Sequence, residues 1–70
     1  MNTATKTINR LSNLHALALE VFGEEEAASK FLLHAHPSLN SQSPFKAALT
    51  ENGGKLVEKI LHKGLQGLPL

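Results

Sequence analysis

The sequence has no cysteine, no tryptophan and no tyrosine, and only three phenylalanines in 70 residues. Without cysteine there can be no disulfide and no thiolate zinc site, two of the usual supports of a domain this small. So few aromatics leave no platform on which the bases of single-stranded nucleic acid could stack. An excess of one charge is also missing, because seven basic residues stand against six acidic ones and the net charge is +1. The bases Lys6, Arg10, Lys30, Lys46, Lys55, Lys59 and Lys63 are spread along the chain. That scatter argues against a phosphate-binding patch. No apolar run approaches the ~20 residues of a membrane-spanning helix. The opening M-N-T-A-T-K-T-I-N-R lacks the apolar stretch of a secretory signal. The expectation from these absences is one small cytoplasmic domain. Its core alone would supply about 3–5 kcal/mol, so self-association or a partner chain is the expected further support.

What is present is helical periodicity. Residues 1–7 read as a loose lead-in, and from Ile8 the residues Leu11, Leu14, Ala18, Val21 and Phe22 fall near one face of a helix. Leu17 and Leu19 widen that stripe, which predicts burial on more than one side or contact with another chain. Gly23 ends the helix, since glycine tolerates the positive φ of a helix terminus. Glu24, Glu25 and Glu26 then sit at the positive end of the next macrodipole, a charged helix start rather than an acidic contact patch. The second helix carries Ala27, Ala28, Phe31, Leu32 and Ala35 on one face and is stopped by Pro37. In the loop H-P-S-L-N-S-Q, Leu39 is the one large apolar side chain and is expected to tuck into the core. Ser43-Pro44 predicts a third, short helix to about Leu49, with serine as cap and proline at the first position. Thr50 caps a fourth helix with Leu56, Val57, Ile60 and Leu61 at helical spacing, and Gly64 and Gly67 weaken its end. No strand alternation appears. The predicted fold is all-α, a small four-helix domain with a flexible C-terminal tail.

Chemistry is harder to find. The four histidines, His15, His34, His36 and His62, do not fall at a spacing that converges three ligands, so they read as surface side chains and no metal ligand is assigned. Ser12, Ser29, Ser38, Ser41 and Ser43 lack a nucleophile motif, and the glutamates lie on solvated turns or are scattered. E-N-G-G-K lacks the spacing of a phosphate loop. No catalytic residue and no cofactor site is therefore expected, and the chain does not read as an enzyme. Lys55, Lys59 and Lys63, at i, i+4 and i+8, form a basic stripe that could touch phosphate or an acidic partner. More often such a stripe is only a solvated face.

Three segments in fixed order resemble a known family. They are A-L-E-V-F-G-E-E-E-A-A-S-K-F-L, then H-P-S-L-N-S-Q-S-P-F-K-A-A-L, then T-E-N-G-G-K-L-V-E-K-I-L-H-K-G-L-Q-G-L-P-L. Together they resemble the toxin-binding domain of the Xre/MbcA/ParS antitoxins, bacterial proteins that neutralise RES-domain toxins. The pattern is carried by Val21-Phe22-Gly23, Ala27, Pro37, Leu39, Ser43-Pro44, Gly53, Val57, Ile60-Leu61 and Gly67. Departures from it are Phe31 for tryptophan, Asn40-Ser41 for Gly-Gly, Gly54 for alanine, Gln66 for histidine, and Gly64-Leu65 where the helix usually continues. The resemblance implies a division into residues 1–15, an arm and the start of helix one, and residues 16–70, the toxin-binding domain. It implies a RES-type, NAD-consuming toxin as partner, with the antitoxin tail laid over the toxin's active-site entrance. That role would fall on Gly67, Leu68, Pro69 and Leu70, with Lys63 and Gln66 beside them. The helix-turn-helix-like region that precedes this domain in such antitoxins has no counterpart in residues 1–15, so DNA binding is not expected from it. The rival expectations are a small helical nucleic-acid-binding protein using Lys55, Lys59 and Lys63, and an orphan dimerisation module.

Overall fold

A computed structural model describes residues 3–68. Among these residues the chain forms four α-helices and no strand: α1 Thr3–Phe22, α2 Glu25–Leu33, α3 Pro44–Ala47 and α4 Glu51–Leu65. The all-α expectation holds. Helix α1 starts at Thr3, so the lead-in before Ile8 is itself helical from that point. It ends where the sequence suggests. Gly23 takes φ +80° and its N–H donates to the Leu19 carbonyl at 2.8 Å, closing the last turn.

The chain then folds straight back into α2, which ends sooner than the sequence suggests. Proline disfavours helical geometry in the residue before it, and His36 is indeed extended at φ −123°, ψ 129°. The break starts earlier still, at His34, also extended, whose N–H closes the helix on the Lys30 carbonyl. Ala35 thus lies outside α2 and is exposed, not part of its buried face. A single 3-10 turn, Pro37–Leu39, buries Leu39 as expected. Asn40 and Ser41 then both adopt positive φ, at 56° and 63°. This pair closes a tight reversal in which His36 and Gln42 face each other across an isolated antiparallel bridge.

Both predicted caps form. The Ser43 hydroxyl accepts from the Lys46 N–H at 3.2 Å, and the Thr50 hydroxyl accepts from the Gly53 N–H at 3.0 Å. Helix α3 ends at Ala47 rather than near Leu49, because the Leu49 and Thr50 amides already turn back to the Lys46 and Ala47 carbonyls.

The core joins Leu14 and Ala18 of α1, Ala28 and Leu32 of α2, Leu39, Ala47 and Ala48 of α3 with the turn after it, and Val57, Ile60 and Leu61 of α4. Each large side chain buried there is worth roughly 1.5–3 kcal/mol. Small alanines let α1 and α2 approach closely. Phe31, which stands where the resemblance has tryptophan, packs against Phe22 with ring centroids 5.3 Å apart and edge-on to His36 at 6.0 Å. One ring thus ties the end of α1 to α2 and the loop. Three residues expected on inner faces point outward instead: Ile8 is 65% exposed, Leu56 50%, and Leu19 lies at the rim.

Candidate functional site at the end of helix four

The residues the sequence suggested for partner contact lie on helix α4 or directly follow it, so its placement decides where they start. Its first turn is wedged against the rest of the fold by two glycines. A Cβ on Gly53 would stand 1.8 Å from the Ala47 carbonyl oxygen, and one on Gly54 would stand 2.5 Å from Arg10 Cδ. Arg10 lies across Gly54 and its Nη1 donates to the Ala48 carbonyl at 3.1 Å. Further along, Val57, Ile60 and Leu61 are buried, so the helix cannot rotate. Lys55, Lys59 and Lys63 are therefore held on the solvent side, all exposed.

The basic stripe has company that the sequence did not reveal. Lys6, Asn9, Arg10 and Asn13 of α1 wall a cleft of about 330 Å³ together with Lys55, Glu51 and Glu58 of α4. Lys59 and Lys63 lie outside that cleft. The two glutamates offset much of its positive charge.

The end of α4 is ordered by its backbone. The Gln66 N–H donates to the His62 and Lys63 carbonyls, the Gly67 N–H to Gly64 at 3.0 Å, and the Leu68 N–H to Lys63 at 2.9 Å. With Gly67 at φ +78°, this is the paired 6→1 and 5→2 closure of a Schellman motif. Gly64 remains helical, and the glycine that ends the helix is Gly67. Lys63, Gln66, Gly67 and Leu68 are gathered at this tip, and Leu68 is 51% exposed although its amide is anchored. The remaining two positions expected to touch a partner, Pro69 and Leu70, lie outside the described residues.

The histidines have separate uses. His15 Nε2 donates to Glu25 Oε1 at 2.7 Å, linking α1 to the start of α2, and Ser29 Oγ donates to the same oxygen at 2.9 Å. These two donors hold the Glu25 carboxyl below its ordinary pKa, His15 contributing more than Ser29. His34 Nδ1 donates to the Lys30 carbonyl at 2.8 Å, and His36 Nδ1 accepts from the Ser38 N–H at 3.1 Å. No three metal-binding side chains converge among the described residues. No described helix is long and apolar enough to cross a membrane. On the far side of α1, Leu11, Leu32, Leu33 and Phe45 border a groove of about 390 Å³, with the His15–Glu25–Ser29 cluster along it. Sequence periodicity missed this groove because its walls come from three separate helices.

Residues 17–63 match the sequence model of the antitoxin Xre/MbcA/ParS C-terminal toxin-binding domain. Neither a curated protein nor a solved structure matches the chain. The matched stretch runs from the second half of α1 through α2, the Leu39 loop and α3 to Lys63, with the Schellman motif just beyond it. On a match that takes in most of the fold and most of its core, the chain belongs to the Xre/MbcA/ParS antitoxin family, of which it carries the C-terminal toxin-binding domain.

Proposed function

We propose that this chain is the antitoxin partner of a RES-type, NAD-consuming toxin. It holds the toxin through the outer face of α4 and the segment Gly67–Leu70. Membership of a toxin-binding antitoxin family supports the general role. The observation that carries the more specific reading is Leu68, an apolar side chain half open to solvent on an anchored backbone at the tip of the last helix. An apolar anchor of this kind can fill a cleft, and burying it supplies binding energy directly. Lys63 and Gln66 flank it with polar contacts. The chain acts by occlusion and supplies no catalytic group or cofactor of its own, in the cytoplasm where NAD is consumed.

The test is removal of residues 68–70. The truncated protein should keep its helical circular dichroism and melt within a few degrees of the full chain, yet fail to inhibit NAD consumption by a RES-domain toxin that the full chain inhibits. If the truncated protein inhibits as well as the full chain, the tail is not the inhibitory element.

A second reading has one observation in its favour. Lys6 and Arg10 of α1 share a cleft with Lys55 of α4, which gives the basic stripe a second element. Phosphate contact through that edge predicts a gel shift on duplex DNA that weakens steeply with salt. Absence of binding at low salt removes it.

A further inference from the structure

Leu68 combines a half-exposed apolar side chain with an anchored backbone amide, its N–H tied to the Lys63 carbonyl at 2.9 Å. The tie exists only because Gly67 turns the chain through the left-handed region at φ +78°. In a Schellman motif this residue reverses the backbone at the helix end. Among the described residues, chain neighbours apart, no heavy atom lies within 4 Å of where a Cβ on Gly67 would stand. Packing against those residues therefore does not require glycine here. The backbone conformation does, because an L-residue in this region brings its Cβ close to the following carbonyl oxygen.

We propose that Gly67 is a positioning residue for toxin capture: its left-handed conformation presents Leu68 on an anchored backbone. The proposal rests on the tail reading above. Its physical content is preorganisation. A segment whose first residue is fixed before the encounter loses less conformational entropy on binding than one that samples many exits from the helix. Gly64, three residues earlier, accepts the Gly67 N–H within the same closure, and Lys63 accepts from Leu68. The cap thus joins the expected anchor, Leu68, to Lys63 beside it through a main-chain bond.

Backbone handedness can be tested without changing side-chain chemistry. A chain of this length can be assembled by peptide ligation, which allows Gly67→Ala to be made with either L-alanine or D-alanine. The two side chains are the same methyl group, but only the D-residue favours positive φ. In the free protein, the Leu68 amide should exchange slowly in the wild type and the D-alanine chain, and at close to the unstructured rate in the L-alanine chain. Against a RES-domain toxin that the wild type inhibits, the L-alanine chain should inhibit about five-fold or more weakly. The D-alanine chain should match or exceed the wild type.

Equal inhibition by both alanine chains, with the 68–70 truncation inactive, overturns the positioning role while leaving the tail reading intact. A truncation that still inhibits overturns both. An unprotected Leu68 amide in the wild type overturns the proposal without any toxin present. A merely structural cap would lower the melting temperature of the L-alanine chain and leave its inhibition unchanged once folded, which also counts against the proposal.

Discussion

Arg10 and Gly54 are fitted to each other: the arginine stem crosses the helix where the glycine has no side chain, with only 2.5 Å between Arg10 Cδ and the place a Cβ would occupy. Reaching over it, the guanidinium donates to the Ala48 carbonyl at 3.1 Å. The contact ties the first half of α1, upstream of the stretch that matches the family, to the turn that launches α4. It also gives a physical reason for glycine where the family pattern has alanine.

Gly54→Ala should be destabilising in the wild type and stabilising once Arg10 is gone. Alanine gains up to about 1 kcal/mol of helix propensity. Against it stands a charge-assisted hydrogen bond worth roughly 1.5–3 kcal/mol, which the displaced arginine would lose. We expect Gly54→Ala to cost about 1 kcal/mol alone and to add about 0.5–1 kcal/mol of stability in an Arg10→Ala background. Urea unfolding of the four proteins of the cycle measures the coupling. Additive effects would mean the two residues do not interact.

Gly53 should tolerate no side chain in any background. The atom its Cβ would meet is the Ala47 carbonyl oxygen, at 1.8 Å, and a backbone carbonyl cannot swing aside as a side chain can. Forcing α3 and α4 apart costs on the order of 2–3 kcal/mol or more. Thermal unfolding of Gly53→Ala should show a large fall in Tm that removing Arg10 does not relieve.

Glycine at position 41 should stabilise the fold. Asn40 and Ser41 both lie in the left-handed region, where the resemblance has Gly-Gly. The strain for a serine is roughly 1–2 kcal/mol, set against the roughly 0.5–1 kcal/mol of extra chain entropy that glycine loses on folding. Ser41→Gly is expected to gain about 0.5–1 kcal/mol. Asn40→Gly should gain less, since asparagine visits this region more readily. Chemical denaturation decides between this order and its reverse.

Acid should loosen the junction between α1 and α2 before the rest of the fold. Hydrogen bonds from His15, and less strongly from Ser29, lower the Glu25 pKa in the folded state. A lowered carboxyl contributes stability that is complete above its unfolded pKa, about 4.3, and is lost as pH falls through the folded value. Glu25→Gln should therefore reduce the difference in stability between pH 7 and pH 3 and leave the alkaline side unchanged. An unaltered acid limb would show that the exposed pair contributes nothing measurable.

The sequence by itself determined the helical class, the helix starts at Ser43 and Thr50, the stop at Gly23 and the burial of Leu39. Each depends on a few neighbouring residues: a hydroxyl beside free amides, a residue able to take positive φ, or a lone apolar side chain in a polar loop. Membership of the antitoxin family was legible for the same reason, because caps, turns and core spacings recur in fixed order. The candidate site was legible as a set of α4 residues but not as a shape. Only the tertiary structure decided that Arg10 is a staple, that Lys6 and Lys55 line one cleft, and that His15 meets Glu25. These residues are far apart in the chain, and their partners depend on which helix faces meet. It also turned Ile8 and Leu56 outward, because a periodic apolar stripe says which side of a helix can be buried but not how far along its length a neighbour reaches. At the tip of α4 the two levels meet. Gly67 was visible as a weak point, and the fold makes it the residue that closes the helix and lets the Leu68 amide reach Lys63.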